Sequence, residues 1–373
     1  MEISNFQCPI PISEYPIITM AHGGGGRLTQ MLIERMFIPA FANPSLEALH
    51  DGAILPLPPP SPVGTGEGGV GVPRLAFTTD SFVITPRFFP GGDIGSLSVH
   101  GTVNDLAMCG ARPLALSAGF ILEEGLPMEE LWRIVQSMQA AAQAVNVPVV
   151  TGDTKVVDRG RGDGIYINTT GVGIIPPAVE ISPRRARPGD MILINGPIAM
   201  HGIAVMSARE GLEFETALQS DAAPLHNLVA RILAAAAQAV TPDGRDRGSP
   251  IHVLRDPTRG GVASALNEIA AQARVGIRLW EANIPIGDAV RGACEILGLD
   301  PLYVANEGKC LAIVAPEAAE AVLAAMRVDP LGEEAAIIGE VVEAQPGRVI
   351  LRSRVGGWRI VDVLTGEQLP RIC

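Results

Sequence analysis

The chain has 373 residues, which suits two domains of ordinary size, and 47% of its residues are hydrophobic against 18% charged. Its net charge of -12 argues against a nucleic-acid partner, which needs stripes of lysine and arginine. No uncharged apolar run reaches the ~18–20 residues of a membrane span, and the N-terminus lacks the basic start of a signal peptide. We therefore expect a cytoplasmic protein with neither a membrane nor nucleic acid as its partner.

The first half of the chain predicts alternating helices and strands. A glycine run, Gly23–Gly26, precedes a helix over residues 28–41, and the Pro/Gly-rich residues 56–73 predict an exposed loop. A helix is predicted with Asp93 as its N-cap and Gly110 as its C-terminal stop. The other elements expected here are a strand at 75–80, a strand at 114–122, a helix at 128–145, and strands at 147–150 and 165–175 that flank a charged loop.

A proline-rich boundary near residues 176–188 divides the chain, after which the alternation resumes to about residue 352. The second half predicts a strand at 190–194 and helices at 225–240 and 258–273. The end of the chain predicts a short strand or two and then an extended, flexible tail. The expected domains are residues 1–178, an α/β domain, residues 179–352, an α+β domain, and the tail, residues 353–373.

Aspartates recur beside Gly, Thr or Asn near the expected element ends: Asp80, Asp105, Asp153 and Asp256. Each one alone is typical of a helix cap or a turn. Together, with Asn104 and Lys155 beside two of them, they favour a Mg²⁺–polyphosphate site, because clustered carboxylates need a cation and hard cations prefer oxygen ligands. Neither a P-loop motif nor a G-x-G-x-x-G dinucleotide motif is present. The glycine run could bring backbone amides close to phosphates, but a flexible lead-in to the following helix explains it equally well.

Five cysteines are widely spaced and form no C-x-x-C pair, which favours a reducing compartment and no disulfide framework. Cys109, Cys294 and Cys310 lie among apolar neighbours, so we expect them to be buried and inert. Cys373 ends the chain after an irregular segment that could reach ~33–36 Å if ten residues were extended. Arg371 adds a positive charge near its thiol. Position alone leaves two interpretations open, an accidental terminal cysteine or a carrier thiol.

Several motifs together resemble one family: HGGGG, FTTDS, GTVNDLAM, GFILEEGLPMEEL, VTGDTKVV, RDPTRGGV, ANEGK and the terminal PRIC. The chain resembles HypE, the carbamoyl dehydratase family of [NiFe]-hydrogenase maturation. The acidic motifs resemble a wider ATP-binding superfamily that includes aminoimidazole ribonucleotide synthetase, selenophosphate synthetase and thiamine-monophosphate kinase, whereas the PRIC end is typical of HypE.

The resemblance implies a fold and a reaction. The α/β N-terminal domain would bind ATP and pair across a homodimer, followed by an α+β C-terminal domain. HypF would load a carbamoyl group onto Cys373, ATP would drive its dehydration to S-cyanocysteine, and the cyano group would pass to iron on HypC–HypD.

The resemblance also implies roles for individual residues. Mg²⁺ ligands would be Asp80, Asp105 and Asp256. ATP would contact the first two of these aspartates together with Asn104, Asp153, His22, Gly23 and Gly24. Lys155 would orient the carbamoyl group or phosphate, and Glu307 would take the amide proton.

Two other interpretations remain open at the level of sequence. A selenophosphate-synthetase-like enzyme would carry a reactive cysteine or selenocysteine and a lysine in the glycine loop, which here reads HGGGGR. A non-catalytic carrier would offer Cys373 to its partners and only sense ATP.

Overall fold

The computed structural model describes residues 26–32, 34–35, 53–56, 73–211, 218–239, 249–364, 369 and 371–372. Its strands are β1 Ala53–Pro56, β2 Arg74–Phe82, β3 Phe88–Phe89, β4 Gly92–Asp93, β5 Arg112–Glu123, β6 Val149–Val157, β7 Ile165–Ile175, β8 Met191–Ile194, β9 Ile251–Arg255, β10 Gly276–Trp280, β11 Leu311–Val314, β12 Ala336–Val342, β13 Val349–Arg352 and β14 Trp358–Val361. Its helices are α1 Arg27–Leu32, α2 Ile94–Met108, α3 Met128–Ala144, α4 Met200–Glu210, α5 His226–Ala239, α6 Gly261–Ala273, α7 Asp288–Leu297 and α8 Pro316–Arg327.

The N-terminal sheet has the strand order β1-β2-β7-β5-β6, with β5 and β6 parallel and the other neighbours antiparallel. Helices α2 and α3 pack over it and share a buried apolar cluster with its strands. The predicted caps of α2 are confirmed. The Asp93 carboxylate accepts hydrogen bonds from the amides of Gly95 and Ser96, and Gly110 follows the helix at φ +72°.

The charged loop expected between residues 150 and 165 is confirmed only in its second half, residues 158–164. Residues 151–157 continue β6, which pairs in parallel with β5 from Val149 to Val157. The sequence of this segment, Val149-Val150-Thr151 to Val156-Val157, is rich in β-branched residues, which outweigh its two charges. Asp153 and Lys155 therefore lie on an exposed edge strand and not in a loop.

The C-terminal sheet has the order β14-β13-β10-β12-β8-β11-β9 and is covered on both faces. Along β8, Ile192 and Ile194 face a core with α4, α6 and α7, and Leu193 faces a second core with α5 and α8. Such a doubly covered strand is apolar at successive positions. The strand expected at the start of the tail is β14, which pairs with β13 and so belongs to this sheet.

The two layers share buried contacts. The last turn of α2, Leu106–Met108, packs into the core formed with α5 and α8, and Val205 of α4 packs into the N-terminal core. The expected burial of Cys109, Cys294 and Cys310 is confirmed. Burial raises the pKa of the Cys294 thiol to about 11, as suits an inert thiol. Among the helices that the structure describes, none combines the length and apolarity needed to cross a membrane.

Candidate active site

Two of the predicted aspartates face each other across β2 and α2. Thr78 and Asp80 lie two residues apart on β2, so their side chains point to the same face. The Thr78 hydroxyl donates to the Asp105 carboxylate at 2.7 Å. One helical turn earlier, Gly101 faces Asp80, with 3.8 Å between the Asp80 Oδ2 atom and the point that a Cβ on Gly101 would occupy. The periodicities of strand and helix thus place the Asp80 and Asp105 carboxylates side by side.

The side chain of Asn104 forms hydrogen bonds with backbone groups of other segments. Its Nδ2 donates to the carbonyls of Ala223 at 3.0 Å and Glu307 at 3.2 Å, and its Oδ1 accepts from the Leu225 amide at 2.7 Å. The residue is 1% exposed. These bonds join α2 to two segments of the C-terminal half, and they favour a scaffold role over the ATP contact that the sequence predicts.

Glu307 lies at the centre of an acidic cluster. It is 4% exposed, and its Oε1 has no hydrogen-bond partner among the described residues. Burial raises the pKa of its carboxyl well above the ordinary value, and three carboxylates raise it further: Asp256, Asp80 and Asp221. The positive charge of Arg259 opposes this rise. Burial also raises the pKa of Asp80, again with Arg259 opposing.

The loops around Glu307 hold one another tightly. Asp221 Oδ1 accepts from the Glu307 amide at 3.4 Å, and its Oδ2 lies 3.5 Å from Lys309 Nζ. A Cβ at Gly308 would come within 1.8 Å of the Asp221 carbonyl oxygen, so only glycine fits there. Asn306 donates to the Pro257 carbonyl at 2.8 Å, which ties the Glu307 loop to the segment that carries Asp256.

Asp153 and Lys155 lie apart from this cluster within the chain. They form an exposed ion pair with each other at 2.7 Å, and the Lys155 ammonium lowers the pKa of Asp153. Strand β6 lies three positions from β2 in the sheet, or roughly 14 Å at ~4.8 Å per strand. The structure therefore brings together Asp80, Asp105, Asp256 and Glu307, and it leaves the other pair at the open edge.

Arg371 and Ile372, in the tail that the sequence predicts to be flexible, are docked at the N-terminal core. Ile372 is 1% exposed and packs in the cluster that contains Phe82 and Ala305. Its carbonyl oxygen lies 2.8 Å from His201 Nε2. Arg371 forms an ion pair with Asp163 and donates from Nε to the Val83 carbonyl at 3.2 Å.

Four predicted site residues, Cys373, His22, Gly23 and Gly24, lie outside the described residues. Within the described part of the chain, no group of three or more His, Cys, Asp or Glu side chains could hold a metal ion by itself. Phosphate oxygens supply the missing ligands when Mg²⁺ arrives with a nucleotide. The surplus of carboxylates around Glu307, with one oxygen unpartnered, fits such a cation.

The sequence did not single out Asp221, Arg259 or His201. Arg259 lies in the quoted RDPTRGGV motif, and its charge beside Asp256 was a usable signal. Asp221 and His201 carry no pattern that separates them from ordinary loop and core residues.

The fold and the acidic site define a class. Residues 69–175 match the N-terminal domain of AIR synthase related proteins, and residues 187–352 match the C-terminal domain. A thiamine monophosphate kinase of Aquifex aeolicus shares the fold at 18% identity, with a TM-score of 0.55 over 78% of this chain and 89% of that one.

Within that class the chain belongs to the HypE family of carbamoyl dehydratases. Carbamoyl dehydratase HypE of Cupriavidus necator is 53% identical over 356 residues, which cover 95% of each chain. HypE of Escherichia coli K12 is 46% identical over 357 residues, which cover 95% of this chain and 99% of that one. A crystal structure of HypE in complex with ATP is 46% identical, with a TM-score of 0.75 over 96% of this chain and 100% of that chain.

Proposed function

We propose that this protein dehydrates an S-carbamoyl group on its own Cys373 to S-cyanocysteine with MgATP, and so supplies the cyanide ligand of [NiFe]-hydrogenase iron. The observation that carries the proposal is Glu307, a buried carboxyl with an unpartnered oxygen in a cluster of acids. A carboxyl with a raised pKa is matched to proton abstraction near neutral pH. Removal of protons from an amide nitrogen is the step that dehydration of a carbamoyl group requires.

The nucleotide side of the site is proposed at Asp80, Asp105 and Asp256. Mg²⁺ held there would neutralise phosphate charge. Known relatives support nucleotide binding, since one HypE structure contains ATP. His22, Gly23, Gly24 and Asp153 stay proposed ATP contacts from the resemblance. Asn104 is proposed to fix the spacing between α2 and the Glu307 loop.

The reaction balances as carbamoyl thiol ester plus ATP giving thiocyanate, ADP and phosphate. The carbamoyl oxygen attacks the γ-phosphorus and ADP leaves. The nitrogen gives one proton to Glu307 as the oxygen is phosphorylated. The carbon–oxygen bond then breaks, and phosphate leaves together with the second proton of the nitrogen. Lys155 is proposed to orient the carbamoyl group or phosphate from the edge strand.

We further propose that the protein works as a homodimer. The N-terminal sheet has large apolar side chains exposed on β2, β5 and β6: Phe77, Ile121, Val149, Val150 and Val156. Exposed apolar side chains of this kind mark an interface, and a second copy would cover the open edge that holds Asp153 and Lys155. HypF is proposed as the carbamoyl donor because a HypE relative, 44% identical with a TM-score of 0.78, has been solved as a HypE–HypF complex. Transfer to HypC–HypD, and a cytoplasmic location, rest on the resemblance and the composition.

One assay tests the proposal against a non-catalytic carrier. The protein is carbamoylated by HypF, given MgATP, and the C-terminal peptide is weighed. Loss of the mass of one water at Cys373 supports the dehydratase. ATP hydrolysis without that loss supports the carrier, and product formed by the Cys373→Ala variant rules out the proposed thiol.

A further inference from the structure

Arg371 and Ile372, near the end of the tail, are held by hydrogen bonds to their backbone as well as by contacts of their side chains. The Arg371 carbonyl accepts from Arg209 Nη2 at 2.8 Å and from the Thr85 amide at 3.2 Å. The Ile372 carbonyl meets His201 at 2.8 Å. Arg371 takes a left-handed conformation at φ +55°, which residues other than glycine adopt at a cost of about 1 kcal/mol. These contacts hold the backbone direction in which the chain enters its last residue.

The proton on His201 can be assigned from its partners. The Ser220 hydroxyl accepts from the Ala222 amide at 3.1 Å and lies 2.7 Å from His201 Nδ1. Its own proton is then available to Nδ1, which leaves the imidazole proton on Nε2, facing the Ile372 carbonyl. Burial lowers the pKa of His201, which favours this neutral form, and the edge of Phe89 packs against the ring with centroids 5.4 Å apart.

His201 also stands between the tail and the Glu307 cluster. Ser220, its hydroxyl partner, directly precedes Asp221, which accepts from the Glu307 amide. On the other side, the Gly202 amide donates to the Ala305 carbonyl at 3.0 Å, two residues before Glu307. One short network thus touches both the last peptide groups of the chain and the loop that carries the proposed base.

We propose that His201 is a positioning residue for the terminal thiol, holding the Ile372 carbonyl so that the modified end of the chain is presented to the Glu307 cluster. This inference rests on the proposed function. His201 touches neither the carbamoyl group nor the nucleotide, and it acts through the peptide group of Ile372. We expect loading by HypF to need the tail released, so the same bond would set the balance between loading and dehydration.

The test compares His201→Leu, which removes the donor, with His201→Gln, whose amide can restore it. In single-turnover dehydration of the carbamoylated protein we expect His201→Leu to be about tenfold slower, as for loss of one hydrogen bond of about 1.4 kcal/mol, while carbamoylation by HypF is unchanged or faster. His201→Gln should recover most of the rate. A histidine needed only for core packing would give two equally impaired variants, and that result overturns the proposal.

A second measurement does not depend on the dehydratase reaction. The rate of iodoacetamide alkylation of Cys373 in the unloaded protein, resolved on the C-terminal peptide, should rise in His201→Leu and stay near wild type in His201→Gln. Arg209 is half-buried, and the Arg209→Met substitution removes its hydrogen bond to the Arg371 carbonyl, so this variant should also raise the alkylation rate of Cys373. It replaces His201→Leu in the test if that variant does not fold. Equal alkylation rates in all variants overturn the proposal that His201 holds the tail. If the wild-type tail is protected from alkylation but the carbamoyl group on Cys373 never loses water, the proposed function fails while the proposal that His201 holds the tail stands.

Discussion

Replacing Glu307 by glutamine should stabilise the nucleotide-free protein while it abolishes most of its activity. The wild-type carboxylate is buried, one of its oxygens has no hydrogen-bond partner among the described residues, and three carboxylates repel it. Each unit by which folding raises the pKa of a carboxyl costs the charged form about 1.4 kcal/mol relative to the neutral form. Glutamine keeps the shape and removes the charge, so we expect a gain of about 1–3 kcal/mol at pH 8. For a chain of 373 residues this corresponds to about 1.3 °C per kcal/mol, so the melting temperature should rise by about 1–4 °C.

The pH dependence of this gain has a definite sign. The pKa of Glu307 is raised in the folded state above its ordinary 4.5, so the folded protein binds the proton more tightly than the unfolded chain. Wild-type stability therefore falls as pH rises from about 4.5 through the folded pKa. The stability difference between Glu307→Gln and wild type should be near zero below pH 4.5 and grow above it.

Urea denaturation across pH, with and without MgATP, measures the effect, and single-turnover dehydration should drop by about 10²-fold or more. Glu343→Gln, which removes an exposed acid, is the matched control and should change stability by less than about 0.5 kcal/mol. A nucleotide-free Glu307→Gln protein that is less stable than wild type at pH 8 would show that the Glu307 charge is not destabilising, and one that dehydrates at the wild-type rate would show that Glu307 is not the base.

Three further changes have defined outcomes. Asn104→Leu breaks three hydrogen bonds of a buried side chain and should lower the free energy of unfolding by about 3 kcal/mol, measured by urea denaturation. Thr78→Val removes the donor that orients Asp105 and should weaken MgATP binding about tenfold by calorimetry, with unfolding little affected. Ile372→Ala truncates the buried anchor of the tail and should slow dehydration at least about tenfold, whereas Ile296→Ala, at a position 75% exposed, should not.

Local chemistry made much of the fold predictable. Asp93 and Gly110 marked the two ends of α2, because capping and the left-handed stop depend on single residues. The error at residues 151–157 arose because Asp153 and Lys155 suggested a loop, while the pairing of β6 with β5 is a long-range contact that charge does not report.

The site was predictable to the extent that its residues sit in dense motifs. Asp80, Asp105, Asp256 and Glu307 were all singled out. In the structure Asp256 and Asp80 lie close enough to Glu307 to raise its pKa, and Asp105 bonds to Thr78, two residues before Asp80. Asp221 and His201 reach the site through tertiary packing, and no pattern in the neighbouring sequence predicts that they lie there. Asn104 lies next to the site, as the sequence predicts, but its side-chain amide forms hydrogen bonds with backbone groups of other segments.

The last turn of α2 ends in the core of the other layer while its middle carries Asp105. A hinge between the layers would have to expose Leu106, Ala107 and Met108 to water, so opening the site like a clamshell is energetically disfavoured. Under the proposed function, the group to be dehydrated would arrive and depart on the chain's own terminus, and nucleotide would exchange by a route separate from it. Separate routes would let the protein keep ADP or ATP bound without blocking the return of the carbamoylated terminus.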